Sequence, residues 1–175
     1  MDNVLFVVNM QELYAGKNRN KEKYSFDADT LTQNINKRIS EYQPEEVFYI
    51  KSIGKGLFKG SMPKPESRDA DFARDIKVVS KNIYEKNKAD CFSNDALADL
   101  MRARNVKEIE FVGVDTGTDI GTSAYTATED LDIKVVYNEL CMVVMSPEKA
   151  AKYRDKLRKT RVTFKHDWNE IKQGY

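Results

Sequence analysis

The sequence predicts a three-layer α/β/α domain built on a six-stranded, mainly parallel sheet. Three observations point there. Val4-Leu5-Phe6-Val7-Val8 is an unbroken apolar run, as expected of a strand covered on both faces. Further short runs rich in β-branched and aromatic residues alternate with stretches whose apolar residues recur at helical spacing. Residues 107–127 pass from Ile109, Phe111, Val112 and Val114 through Asp115-Thr116-Gly117-Thr118-Asp119 into Ile120, Ser123, Ala124 and Ala127. That is a strand feeding a tight loop that opens a helix.

The 175 residues suit one domain, 1–175, and 41% hydrophobic content is ordinary for a globular protein. Lys+Arg 29 against Asp+Glu 28 leaves +1, so no basic excess points to nucleic acid. No apolar run reaches membrane-spanning length and no signal sequence precedes the first strand, which predicts a cytoplasmic protein. Cys91 and Cys141 lack metal-type spacing and read as reduced, buried thiols.

After the first strand and Asn9, the stretch from Met10 to Asp27 reads as a loop or short turn carrying Tyr14 and a basic cluster, Lys17 to Lys23. The cluster is a solvated face, or meets a substrate or partner. Leu31, Ile35, Ile39 and Tyr42 share one helical face closed by Gln43-Pro44, and Val47 to Ile50 form a second strand. Gly54, Gly56, Gly60, Pro63 and Pro65 mark a long loop from Lys51 to Ser67, in which Phe58 and Met62 are expected to pack beneath it or reach a neighbouring subunit. Ser67 is expected to cap a helix bearing Phe72, Ile76 and Val79. A short third strand at Ile83-Tyr84 leads to Lys86, and Ser93 or Asn94 caps a helix with Leu97, Leu100 and Met101. A fifth strand is expected at Ile133 to Tyr137, a helix capped by Ser146 ahead of Pro147, and a sixth strand at Arg161 to Phe164. The tail with His166 and Trp168 is left to fold back or cross to another subunit.

Open α/β sheets hold ligands at the carboxyl ends of their strands, where backbone N–H groups and a helix dipole favour negative charge. The candidates to contact a ligand there are Asp115, Thr116, Gly117 and Thr118, with Tyr14 and Phe92 from the other strand ends. Asp119 is a candidate too, although Thr118 or Asp119 also suits a plain helix cap.

Three segments together resemble the isochorismatase-like hydrolases, the superfamily of nicotinamidases, carbamoylsarcosine amidases and isochorismatases. Val4-Leu5-Phe6-Val7-Val8-Asn9-Met10-Gln11 is similar to the family's first strand and its Asp-Met-Gln ending. Lys86 to Phe92, followed by Leu97 and Leu100, resembles the segment of the catalytic lysine. Gly113-Val114-Asp115-Thr116 through Ser123-Ala124 and Ala127 resembles the element that carries the nucleophilic cysteine. The resemblance covers nearly the whole chain and implies a Rossmann-like fold, a small-molecule ligand or substrate and a homo-oligomer.

The family's catalytic Asp, Lys and Cys fall on Asn9, Lys86 and Asp119 in this sequence, so two of the three groups differ. Without a thiol at 119, thiolate attack on an amide is excluded there; without an acid at 9, the vinyl-ether route loses its proton donor. One negative charge has in effect moved from position 9 to 119, where it can pair with Lys86; otherwise Lys86 points to solvent. Asp119 beside an ammonium and a helix N-terminus is expected to have a lowered pKa and to be a weak base. Cys91 is a displaced nucleophile or, as its neighbours Asp90 and Phe92 favour, a small core residue. With no histidine between Lys51 and Asp75, and His166 alone in the tail, neither a catalytic metal nor another cofactor is expected.

Two functions follow from this resemblance. One is a divergent hydrolase of a small amide, imide or enol-ether compound, with Asn9, Lys86 and Asp119 lining the pocket. The other is a catalytically silent small-ligand-binding or assembly protein. A nucleotide binder is a remote third, because the glycines at 113, 117 and 121 do not make the phosphate-binding fingerprint.

Overall fold

The structure is a computed structural model that describes residues 2–56 and 60–172. Phe58 therefore lies outside the described residues. Strands β1 (Asn3–Val8), β2 (Val47–Ser52), β3 (Ile83–Lys86), β4 (Glu108–Gly113), β5 (Lys134–Met142) and β6 (Val162–Lys165) alternate with helices. The helices are α1 (Glu12–Ala15), α2 (Ala28–Ile39), α3 (Asp95–Ala103), α4 (Asp119–Glu129), α5 (Pro147–Leu157) and α6 (Trp168–Lys172). Every strand pairing is parallel, in the order β3-β2-β1-β4-β5-β6. The strand order reverses between β1 and β4, which opens a crevice beyond their carboxyl ends.

The period-two alternation of strand side chains divides the core into two layers. Val4, Phe6, Val8, Phe48, Ile50, Ile109 and Phe111 meet Leu97 and Met101 of α3 and Ile120, Ala124 and Ala127 of α4 on one face. Leu5, Val7, Val47, Tyr49 and Val112 meet Leu31, Ile35 and Ile39 of α2 on the other. The tail folds back onto this second layer, where Trp168 packs and Lys37 of α2 lies 3.8 Å over its ring.

Helix starts follow the local chemistry. Asp27 accepts from Thr30 N–H at 3.0 Å ahead of α2, and Asn94, rather than Ser93, accepts from Leu97 N–H ahead of α3. Ser146 with Pro147 opens α5. The expected helix after Ser67 does not form beyond one 3₁₀ turn at Arg68–Ala70. The chain there is held extended by tertiary partners instead. Ala73 N–H donates to Met10 O at 2.9 Å, Gln11 bridges Phe72 antiparallel, and the Tyr49 hydroxyl bonds Lys77 O and Val79 N–H. Val79 consequently stays exposed.

Under α2 the second layer encloses a buried ion pair. Arg38 and Glu110 are 1% and 2% exposed, and the guanidinium grips the carboxylate through Nε and an Nη at 2.7 Å each. Tyr42 OH and Asn138 Nδ2 donate to the same carboxylate at 2.9 and 2.8 Å. Removing one member of a buried pair strands the other in low dielectric. Glu110→Gln should therefore destabilise the fold by about 3–5 kcal/mol, read as a shift in the urea-unfolding midpoint.

Candidate active site

The crevice is built by the residues that end β1, β2, β3 and β4. Asn9 follows β1 with φ 56, a left-handed conformation that Asn and Asp adopt more readily than most residues. Its backbone N–H stays on the sheet, donating to Ile50 O at 2.9 Å, while its side chain turns across to β4. Gly113 ends β4 with φ +117, and a Cβ there would lie 2.0 Å from Val8 O. Glycine thus lets β4 close against β1, so that Asn9 Nδ2 donates to Val114 O at 2.9 Å. The Val114–Asp115 peptide is cis.

Four side chains close a ring of three hydrogen bonds and one ion pair. Lys86 Nζ donates to Ser52 Oγ at 2.9 Å, and Ser52 Oγ donates to Asn9 Oδ1 at 2.8 Å. Asn9 Nδ2 donates to Asp119 Oδ2, and Asp119 Oδ2 returns to Lys86 Nζ at 3.4 Å. Lys86 also donates to Lys88 O at 3.1 Å. An ammonium has three donors, and these three acceptors use them all. The Lys86 side chain is 0% exposed and that of Asp119 17%, so the lysine lies beneath the floor while the carboxylate reaches the surface of the cleft.

Asp119 does not cap α4. Thr118 holds the N-cap position, and Asp115 Oδ1 accepts from both its N–H and Oγ1, at 2.9 and 2.8 Å. Freed from capping, Asp119 turns its carboxylate into the ring. Its pKa is raised rather than lowered: burial penalises the charged form more than the Lys86 ammonium favours it, and Asp115 adds repulsion. No described residue hydrogen-bonds its Oδ1.

The cleft has a volume of about 440 Å³, and its lining includes Asn9, Ser52, Asp115, Thr118 and Asp119. Tyr14 and Tyr24 form an edge-to-face wall, ring centroids 5.6 Å apart, and burial raises the Tyr14 pKa. Met62 and Met145 add apolar surface, and Lys23 and Lys149 stand at its rim. The basic cluster divides: Lys23 reaches the cleft, Lys17 pairs with Asp75, and Arg19 fastens the loop by donating to the carbonyls of Gly16, Tyr24 and Phe26.

Three expected contacts fall elsewhere. Phe92 packs in the core against Phe6, 5.8 Å between centroids, because the 3₁₀ turn Cys91–Ser93 points it under the sheet. Thr116 is drawn aside by its N–H to Val143 O at 2.9 Å and faces a separate pocket between β5 and α5. Gly117 faces a groove beside the cleft. Ser52, by contrast, had no motif to mark it. Its only sequence signal is its place at the end of the second apolar run, and register pairs it with Lys86.

Neither cysteine is placed to react. Cys91 is buried with its thiol pushed up to about 12, and the Cys141 thiol is also raised by burial. Among the described residues no group of three or more His, Cys, Asp or Glu is placed to hold a metal ion, and no helix is long and apolar enough to cross a membrane.

The family model of the isochorismatase domain matches residues 3–163. Among solved structures, the chain is similar to an isochorismatase-like hydrolase from Alkaliphilus metalliredigens, with TM-score 0.82, 12% identity and 100% of each chain covered. It is also similar to a pyrazinamidase of Pyrococcus horikoshii in complex with zinc, with TM-score 0.73, 16% identity, and 95% of this chain and 100% of that one covered. The N-carbamoylsarcosine amidase from Thermoplasma acidophilum gives TM-score 0.72, 18% identity, and 95% and 96% coverage. At these identities the structural likeness is one of fold. No curated protein matches the chain in sequence. With a sequence match over almost its full length and a sheet of the same architecture, the chain belongs to the isochorismatase family.

Proposed function

We propose that the cleft hydrolyses a small amide or imide with Asp119 as general base toward water. The observation that carries this reading is the closed ring of Lys86, Ser52, Asn9 and Asp119, whose carboxylate lines the cleft while the lysine lies beneath it. Asn9 and Lys86 occupy Oδ2, which leaves Oδ1 to hold a water. For an amide or imide, that water loses its proton to Oδ1 as its oxygen attacks the carbonyl carbon, and negative charge develops on the carbonyl oxygen; collapse of this adduct breaks the C–N bond as the proton on Oδ1 passes to the leaving nitrogen, which returns Asp119 to its ionised form. The Lys86 charge beneath and the N-terminal turn of α4 lower the cost of that charge. Because its donors are all engaged, Lys86 acts through Asp119 and its field. It is a positioning residue.

The raised pKa makes Asp119 a stronger base than an exposed aspartate. The competing reading, a silent binder, is favoured by one observation: Asn9 carries no acid where the family's hydrolases carry one. A panel of small amides and imides separates the two. Asp119→Asn should lower kcat by about 10²–10⁴-fold while ligand-induced thermal stabilisation persists. No turnover by the wild-type chain on any compound that stabilises it leaves the binder.

The pH profile supplies a second test. A base must be ionised, so kcat should rise with pH through a limb that lies above the 3.8 of an ordinary aspartate, and Asp119→Asn should abolish that limb. Ser52→Ala should remove one partner each from buried Lys86 and Asn9. A loss of about 1–3 kcal/mol in urea denaturation is expected, with a fall in kcat larger than any change in KM.

A further inference from the structure

A groove of about 330 Å³ runs between α4 and α5 beside the cleft, and the two share Ala89, Thr118 and Lys149 as common wall. Its remaining lining is Gly117, Thr122, Lys152, Tyr153 and Lys156, with no acidic residue. On a chain of net charge +1 this is a local concentration of one sign. Elsewhere on the surface Lys17 pairs with Asp75 and Lys55 with Glu85. Among the described residues no carboxylate lies within ion-pair distance of Lys149, Lys152 or Lys156. The acids of α5 are Glu148 and Asp155, of which Asp155 pairs with Arg158, and Asp155 and Glu129 face Lys152 and Lys156 across an adjoining surface pocket.

The floor is stiff. A Cβ on Gly121 would lie 2.6 Å from Tyr153 Cγ, so glycine lets the two helices touch, and Thr122 Oγ1 and Tyr153 OH are 2.7 Å apart across the seam. Lys156 Nζ lies 5.7 and 5.5 Å over the Tyr125 and Tyr153 rings, which gives that ammonium a seat. Three ammonium groups on one helix face repel one another unless an anion comes between them.

We infer that this groove is an extension of the cleft that binds an anionic tail carrying two or more negative charges, phosphate or clustered carboxylate, on the molecule whose reactive end meets Asp119. The inference rests on the hydrolytic reading for the reactive end and on the groove alone for the tail. Lys149 stands at the junction, and Lys152 and Lys156 receive the charge farther out.

The test uses the whole chain, with pyrophosphate and tricarballylate as probes in calorimetric titration at fixed ionic strength. Saturable binding is expected. It should weaken about tenfold in the Lys152→Gln/Lys156→Gln double variant. A control that removes two exposed charges at the opposite rim of the sheet, Lys107→Gln/Lys134→Gln, should change it less than about twofold. Preference for pyrophosphate identifies a phosphate tail and preference for tricarballylate a carboxylate one. The inference is overturned if neither probe saturates, if the double variant binds as wild type does, or if the control loses as much. Pyrophosphate binding at the groove without turnover of any amide sinks the hydrolytic reading alone. Turnover abolished by Asp119→Asn, with no binding of either probe, sinks this inference alone.

Discussion

A lysine ammonium buried at the end of β3 must find three acceptors and a countercharge, and the arrangement of the cleft follows from that demand. Ser52 lies opposite Lys86 in the β2–β3 register, the turn after β3 brings the Lys88 carbonyl back over it, and α4 delivers the carboxylate of Asp119. Each partner comes from a different part of the chain, so the ammonium ties β2, the turn after β3 and α4 together. Asn9 completes the ring by receiving from Ser52 and donating to Asp119, which a neutral amide can do and a carboxylate cannot. The amide at 9 and the acid at 119 are thus complementary: one negative charge is enough for one ammonium.

A second buried pair, Arg38 with Glu110, shows what the cleft is not. There the carboxylate is satisfied on both oxygens by Arg38, Tyr42 and Asn138 and is sealed beneath α2. It can orient helix against sheet, and it has no oxygen left for a ligand. Asp119 lines the cleft, and no described residue hydrogen-bonds its Oδ1. A cation–carboxylate pair is sealed into the packing in one place and borders a cleft in the other, and access is the difference.

Backbone geometry decides where the ring can form. Two strands that feed a switch point diverge unless something draws their ends together, and here glycine at 113 and the left-handed turn at Asn9 do so. Asn tolerates that conformation as Asp does, so a change between them at position 9 alters charge without altering the path of the chain.

The alternation of apolar runs with helical spacing was enough, without coordinates, to specify the parallel sheet and its helices, because burial on two faces leaves a periodic trace in the residues themselves. The motif order likewise marked Asn9, Lys86 and Asp119. What composition and spacing cannot encode is which way a side chain turns once distant segments meet. Ser52 and the lysine groove of α5 carry no motif; parallel register and helix packing bring them to the site. Phe92 and Thr116 sit beside it in sequence but are pulled away by core packing and a backbone bond to Val143. The stretch after Ser67 is helical in spacing yet held extended by bonds to Met10 and Tyr49. The pKa of Asp119 turned the same way: neighbours read along the chain predict a lowered value, whereas burial, a property of the assembled fold, raises it.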